Sequence, residues 1–180
     1  TLQFQAIAGS QGRGAIGHWD GLTDNAYCQY PWESNFTNIA RGELYSTTGG
    51  AVTEVYYECY KGIAACNIFL ENIGSVETTN QDLINKYIGE VRFIRAFFYY
   101  WLTQCYGDVP LVAKTLPIEE MNIPRSPKAD ILAFMYEDLD FAITNLPEEA
   151  YSGHVVKGAA LAFKARVKLF NKEYEDAAIL

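Results

Sequence analysis

The chain has 180 residues, 49% apolar and 14% aromatic, with 14 Lys and Arg against 22 Asp and Glu for a formal net charge of −8. That is enough apolar material for a sizeable core and, by length, for one domain. The acidic balance and scattered basic residues leave no stripe for a phosphate backbone, so nucleic acid is not expected as a partner, and no run of eighteen apolar residues is present to span a bilayer.

Residues 1 to about 50 are rich in Gly, Ser, Thr and Asn, with aromatic residues among them and no sustained helical period except at the very start. A loop region of that length is functional or disordered, and the aromatic content argues against disorder. A helix is predicted from about Thr53 to Asn72, with Val52, Tyr56, Cys59, Ile63, Cys66 and Leu70 near helical spacing and Gly74 as its stop.

A second helix, expected to pair with the first, runs from about Gln81 to Tyr106. Val91, Ile94, Phe98, Trp101 and Cys105 form one apolar stripe and Phe93, Phe97 and Tyr100 another, so both sides should be packed. Gly107 suits a left-handed stop, and Pro110 holds Val109 extended. After an irregular connection with Pro110, Pro117 and Pro124, Ser126 reads as an N-cap with Pro127 in the first turn. The third helix should carry Ile131, Met135, Leu139 and Ile143 inward, with Leu132 and Phe134 alongside, and end near Asn145 before Pro147. A fourth, about Lys157 to Phe170, holds Ala159, Ala160, Ala162 and Ala165, which would let neighbours approach closely. The segment Lys172 to Leu180 reads as a turn between repeats and a helix beginning.

Cys28, Cys59, Cys66 and Cys105 could suggest disulfides, but Cys59 and Cys66 lie two helical turns apart, roughly 10 Å, too far to bridge. All four are therefore read as small buried hydrophobes, with no metal site.

Five blocks together carry a resemblance. They are the stretch from Gly89 to Leu102 running into Tyr106 to Val112; Tyr57 to Leu70; Pro124-Arg125-Ser126-Pro127; Glu137 to Ile143 with Leu146-Pro147; and Lys157 to Ala162. In their order along the chain they resemble the SusD/RagB family, the surface glycan-binding lipoproteins of Bacteroidetes nutrient uptake. The resemblance implies an all-α fold of degenerate tetratricopeptide-like helix pairs in an α-α superhelix. Residues 1–50 would be a loop-rich aromatic region and residues 51–180 the helices of the amino-terminal part of a longer domain. A signal peptide and lipid-acceptor cysteine would precede Thr1, and a carboxyl half would follow Leu180. It also implies non-catalytic capture of oligosaccharide at the outer-membrane surface for delivery to a SusC-like TonB-dependent transporter. Capture of peptide, as in RagB-like members, and a tetratricopeptide-like scaffold that binds only proteins remain open alternatives.

Sugars present flat C–H faces and a rim of hydroxyls, so a glycan site needs exposed aromatic plates beside carboxylates and amides. The segment from Trp19 to Trp32 supplies both. Tyr27, Tyr30 and Trp32 are candidate plates, Trp19 a further aromatic, and Asp20, Asp24 and Asn25 a hydrogen-bonding rim; the family's corresponding loop contributes to its glycan site. Arg92 and Arg95, on a helix with otherwise apolar positions, demand partners, for which Glu54, Glu58, Glu90 and Asp108 are available. An ion-pair network holding the repeats in register is the reading. Asn67 is taken as a structural amide capping a neighbouring turn, and His18 and His154 as surface or loop residues. For an enzyme, the sequence offers no GxSxG, HExxH, CxxC or phosphate-cradling glycine loop, Gly9 to Gly14 following no clear strand. No cofactor is expected.

Overall fold

The computed structural model describes residues 20–27, 35–149 and 152–180. Among these the chain is all-α, with no extended pairing beyond an isolated antiparallel bridge between Val109 and Ser126. The helices are α1 Phe36–Ala40, α2 Ala51–Asn72, α3 Gln81–Tyr106, α4 Lys128–Asn145, α5 Lys157–Phe170 and α6 Tyr174–Ile179. Two compact units divide between Gly62 and Ile63, within α2.

In the first unit, α1 interrupts what the sequence reads as a continuous loop. Asn35 starts it in the left-handed region at φ 59°, which asparagine tolerates, and Gly42 leaves it at φ 75°. Phe36 and Ala51 are buried together, with Leu22 and Ile39 packed against them. A short helix thus forms where one aromatic side chain has an apolar seat. Gly50, at φ 69°, accepts the Thr53 and Glu54 amides through its carbonyl and so opens α2 two residues ahead of the expected start.

Along α2 the buried apolar side chains are Ala51, Val55, Cys59, Ile63 and Cys66. Val52 is only half-buried and Tyr56 is exposed, so the true stripe is rotated from the predicted one. Nor does Gly74 supply a left-handed stop: a 3-10 turn over Ile73–Ser75 closes the helix, secured by the Asn72 amide on the Ile68 carbonyl and the Ser75 hydroxyl on the Asn72 carbonyl, each 2.7 Å.

The second unit is layered by helix packing, α3 on α4, α4 on α5 and α5 on α6. Tyr99 and Leu102, fully buried, lie in neither predicted stripe of α3, whereas Val91, Ile94 and Trp101 are half-buried and Cys105 is exposed. With apolar residues on most faces of this helix, the 3.6-residue period cannot select the innermost line; the neighbours do. The second predicted stripe does find a partner. Phe93, Phe97 and Tyr100 surround Phe163 of α5 with ring centroids 5.4, 5.5 and 5.4 Å away.

Gly107, at φ 70°, donates its amide to the Thr103 carbonyl and ends α3 as expected. The start of α4 differs from the prediction. Ser126 pairs with Val109 instead of capping, Pro127 precedes the first helical residue, and the side chain of Asp108 accepts the Lys128 amide at 2.8 Å. Ile131, Met135 and Leu139 are buried as predicted; Ala142 joins them, with Ile143 at the margin. Of the alanines in α5, Ala160 packs with Ala142 and Leu146, while Ala159 and Ala162 face outward. Gly89 of α3 meets the same place, where an added Cβ would sit 3.4 Å from Leu146.

Candidate functional site

The described part of the predicted binding segment is a tight turn. The Asp20 carbonyl accepts the Thr23 amide at 3.0 Å and the Thr23 hydroxyl at 2.7 Å, and that hydroxyl accepts the Asn25 amide at 3.2 Å. Leu22 points inward to the Phe36 and Ala51 cluster, anchoring the turn from below. Asp20, Asp24, Asn25 and Tyr27 are all exposed within these eight consecutive residues, Tyr27 at 72%. An exposed phenol ring can stack on one face of a ligand, and carboxylates and an amide on the same turn can accept or donate hydrogen bonds. Trp19, Tyr30, Trp32, His18 and Cys28 lie outside the described residues. Two exposed rings that the sequence reading did not select, Tyr45 and Tyr57, belong to the same unit. Tyr57 could have been found, since it falls off the apolar stripe of α2; its ring carries Lys61 Nζ at 5.8 Å.

The arginines are occupied differently. The Nε and Nη2 atoms of Arg95 each donate to Asp138 at 2.8 Å in a bidentate fork. Its Nη1 donates to the Asn67 side-chain oxygen at 2.8 Å and the Ala113 carbonyl at 3.3 Å, and its guanidinium lies 4.6 Å from the Phe134 ring. Arg92 Nε is 3.8 Å from the same carboxylate, with its guanidinium 4.3 Å from the centre of the Phe141 ring. The network of the sequence reading is therefore present, but its carboxylate is Asp138. Of the expected acids, Glu58 lies 3.6 Å from Lys61, Glu90 lies 3.1 Å from His154, and Asp108 caps α4. The signal for Asp138 was its position in α4, three residues after Met135 on the buried face.

Asn67 links this cluster to the irregular segment after α3. Its amide donates to the Val112 carbonyl at 2.9 Å. Tyr99 donates its hydroxyl to that carbonyl at 3.1 Å and accepts the Val112 amide at 2.8 Å. Burial pushes the Tyr99 phenol up to about 12, opposed by its bond to Val112 and by Arg95. Burial likewise raises the Cys66 thiol to about 12, leaving it protonated and unreactive. Burial also raises the Asp138 carboxyl, against which the hydrogen bonds and charge of Arg95, then the charge of Arg92, act to lower it. Arg95, Asp138, Asn67 and Tyr99 are buried and bonded to protein, with Arg92 half-buried at the margin, and the cluster serves as scaffold. Cys59 and Cys66 are buried, as expected, but Cys105 is exposed at the end of α3.

His154 is exposed, as the sequence reading has it. Among the described residues no group of three His, Cys, Asp or Glu is placed to hold a metal ion, and no helix is long and apolar enough to cross a membrane.

A family model described as SusD-like, starch-binding associating with the outer membrane, matches residues 6–169. A SusD-like protein of Formosa agariphila is 27% identical over 130 residues, 69% of this chain and 24% of that protein, so the chain spans about a quarter of its length. The crystal structure of a SusD-like carbohydrate-binding protein from Bacteroides fragilis is 29% identical with a TM-score of 0.80, covering 91% of this chain and 33% of the other. A laminarin-binding SusD-like protein, 20% identical, shares the fold with a TM-score of 0.87 over 99% of this chain and 39% of its own. The helices described above are thus the tetratricopeptide-like helices of this fold, and the chain belongs to the SusD-like family.

Proposed function

We propose that the protein containing this chain captures oligosaccharide without catalysis at the outer surface of the outer membrane and delivers it to a SusC-like TonB-dependent transporter. The observation that carries the binding reading is the outward group of Tyr27, Asp20, Asp24 and Asn25 on a turn pinned by Leu22, in a chain whose family is described as starch-binding. The same description, associating with the outer membrane, supports the location. In this reading residues 51–180 supply the helices, the aromatic region 1–50 supplies part of the ligand surface, and a carboxyl half supplies the rest. A lipid anchor ahead of Thr1 would hold the protein to the membrane.

Calorimetric titration of the full-length protein with a panel of oligosaccharides tests the reading, beside a variant with Tyr27, Tyr30 and Trp32 changed to alanine. Binding of a glycan that the triple variant loses while melting normally is the expected result. Affinity for extended peptides with no response to any sugar would instead establish peptide capture, and product release from a bound glycan would overturn the non-catalytic part. Cross-linking in intact outer membranes should join the protein to a TonB-dependent transporter.

A further inference from the structure

We propose that the turn formed by Ile118–Glu120 and Met121 docks into a protein surface that offers an apolar depression rimmed by Lys or Arg. The transporter is taken as that protein, so the inference rests on the partnership proposed above. Ile118 and Met121 are 80% and 63% exposed, and Glu119 and Glu120 between them are exposed as well. Side chains three apart eclipse in a 3-10 turn, so the isoleucine and the methionine share one side and form a single apolar tip. Hydrogen bonds fix the turn. The Pro117 carbonyl accepts the Glu120 amide at 3.0 Å, the Ile118 carbonyl the Met121 amide at 3.3 Å, and the Met121 carbonyl the Ile123 amide at 3.0 Å. On either side of the turn, Glu71 accepts the Thr115 amide at 2.7 Å together with the Thr115 hydroxyl, and Ser126 donates its amide to the Val109 carbonyl at 3.0 Å. A tip held at both ends has little conformational freedom left to lose on docking.

Charge decides what seats the tip. Glu119 and Glu120 flank it with two carboxylates, while the nearest basic residues along the chain, Lys114 and Arg125, each stand four residues outside the turn. A segment that settles into a membrane interface carries Lys or Arg beside its apolar residues, the reverse of this arrangement. A second copy is disfavoured too. A two-fold contact through the tip would bring Glu119 and Glu120 against their own counterparts, between chains that each carry −8. An apolar depression with a basic rim answers both parts of the turn. It covers Ile118 and the adaptable Met121, and it offers the two carboxylates the opposite charge, which steers the encounter and suppresses wrong partners.

The test is photo-cross-linking in intact outer membranes, with benzoylphenylalanine in place of Ile118 in the full-length protein and the transporter co-expressed. The expected product joins the two proteins and maps by mass spectrometry to apolar residues of the transporter flanked by Lys or Arg. Glu119→Lys with Glu120→Lys should lower its yield at least about fivefold while the melting temperature stays unchanged, and high salt should lower it in the same direction. Glu119→Gln with Glu120→Gln should do so in smaller measure and keeps the test readable should the charge reversal fold poorly. A lysine-reactive cross-linker, which acts at any contact, reports the partnership itself. If that reagent joins the two proteins while position 118 reacts with nothing, with lipid or with a second copy, the proposal is overturned and the transporter reading stands. A cross-link from position 118 back into the same chain, which would mean that the full-length protein covers the tip itself, overturns it too. So does a transporter cross-link whose yield neither the glutamate variants nor salt moves. If neither reagent joins the two proteins, the partnership and the inference fall together.

Discussion

Asp138 and Asp24 are the same side chain in opposite surroundings. Asp138 is buried between two helices with a bidentate arginine, a second arginine at 3.8 Å and no access to solvent, whereas Asp24 stands exposed on a turn without a described partner. A buried carboxylate with each oxygen bonded to an arginine fixes register but offers nothing to a ligand. An exposed carboxylate beside a bare aromatic ring contributes little to stability and is free to bind. Charge alone therefore does not mark a site in this chain; what marks it is whether protein groups already satisfy the charge.

The sharpest way to break the contrast is Asp138→Ala. It leaves Arg95 buried without its counter-ion and should cost about 3 to 5 kcal/mol in chemical unfolding, while Arg95→Met with Asp138→Leu should recover most of the loss. An Asp138→Ala protein as stable as the parent would mean that the network is ornamental. At the other pole, Tyr27→Ala should weaken glycan binding about tenfold, equivalent to about 1.4 kcal/mol, with the melting temperature unchanged. A drop in melting temperature would show Tyr27 to be a packing residue.

Smaller effects refine the same division. Gly158, on the first turn of α5, has no atom within 4 Å of where a Cβ would sit, so Gly158→Ala should stabilise the second unit by about 0.5 to 1 kcal/mol without touching binding. The smallest expected change is a shallow loss of stability in acid. Hydrogen bonds from Thr115 hold Glu71 below its ordinary value; Lys168 and then Tyr136 do so for Glu173, and Lys168 for Asp176. Because these folded values lie below the unfolded ones, their contribution is complete above the ordinary values of 4.5 for the glutamates and 3.8 for the aspartate. It is lost as pH falls through the depressed values. Melts between pH 6 and 3 should show this decline, and Lys168→Met should flatten it.

Helix positions were legible in the sequence where punctuation is chemical. Gly107 and Pro147 end α3 and α4 through a positive φ and a forced extended residue, and the expected limits Gln81, Tyr106 and Asn145 are the observed ones, with Asn80, not read from the sequence, capping the start of α3. Helix faces were less legible. In α2 and α3 apolar residues outnumber buried positions, so Tyr56 and Cys105 read as core although the neighbours leave them outside. Long-range polar pairing was the least legible, since Arg95 and Asp138 are 43 residues apart and nearer acids compete on paper. In the candidate site, Asp20, Asp24, Asn25 and Tyr27 are exposed because a polar, glycine-bearing turn leaves few side chains anything to pack on, although Tyr27 reads equally well in the sequence as packing into the loop's own core.

Tyr99 offers its oxygen to both backbone groups of Val112. Its hydroxyl takes the place of a neighbouring β-strand, supplying donor and acceptor to one residue of a segment whose extended pairing among the described residues is the Val109–Ser126 bridge. The Val112 amide should consequently exchange with solvent deuterium at the pace of helix α3, although it lies in an irregular connection. Replacing Tyr99 with phenylalanine would release that amide to rapid exchange while the surrounding helices keep their protection.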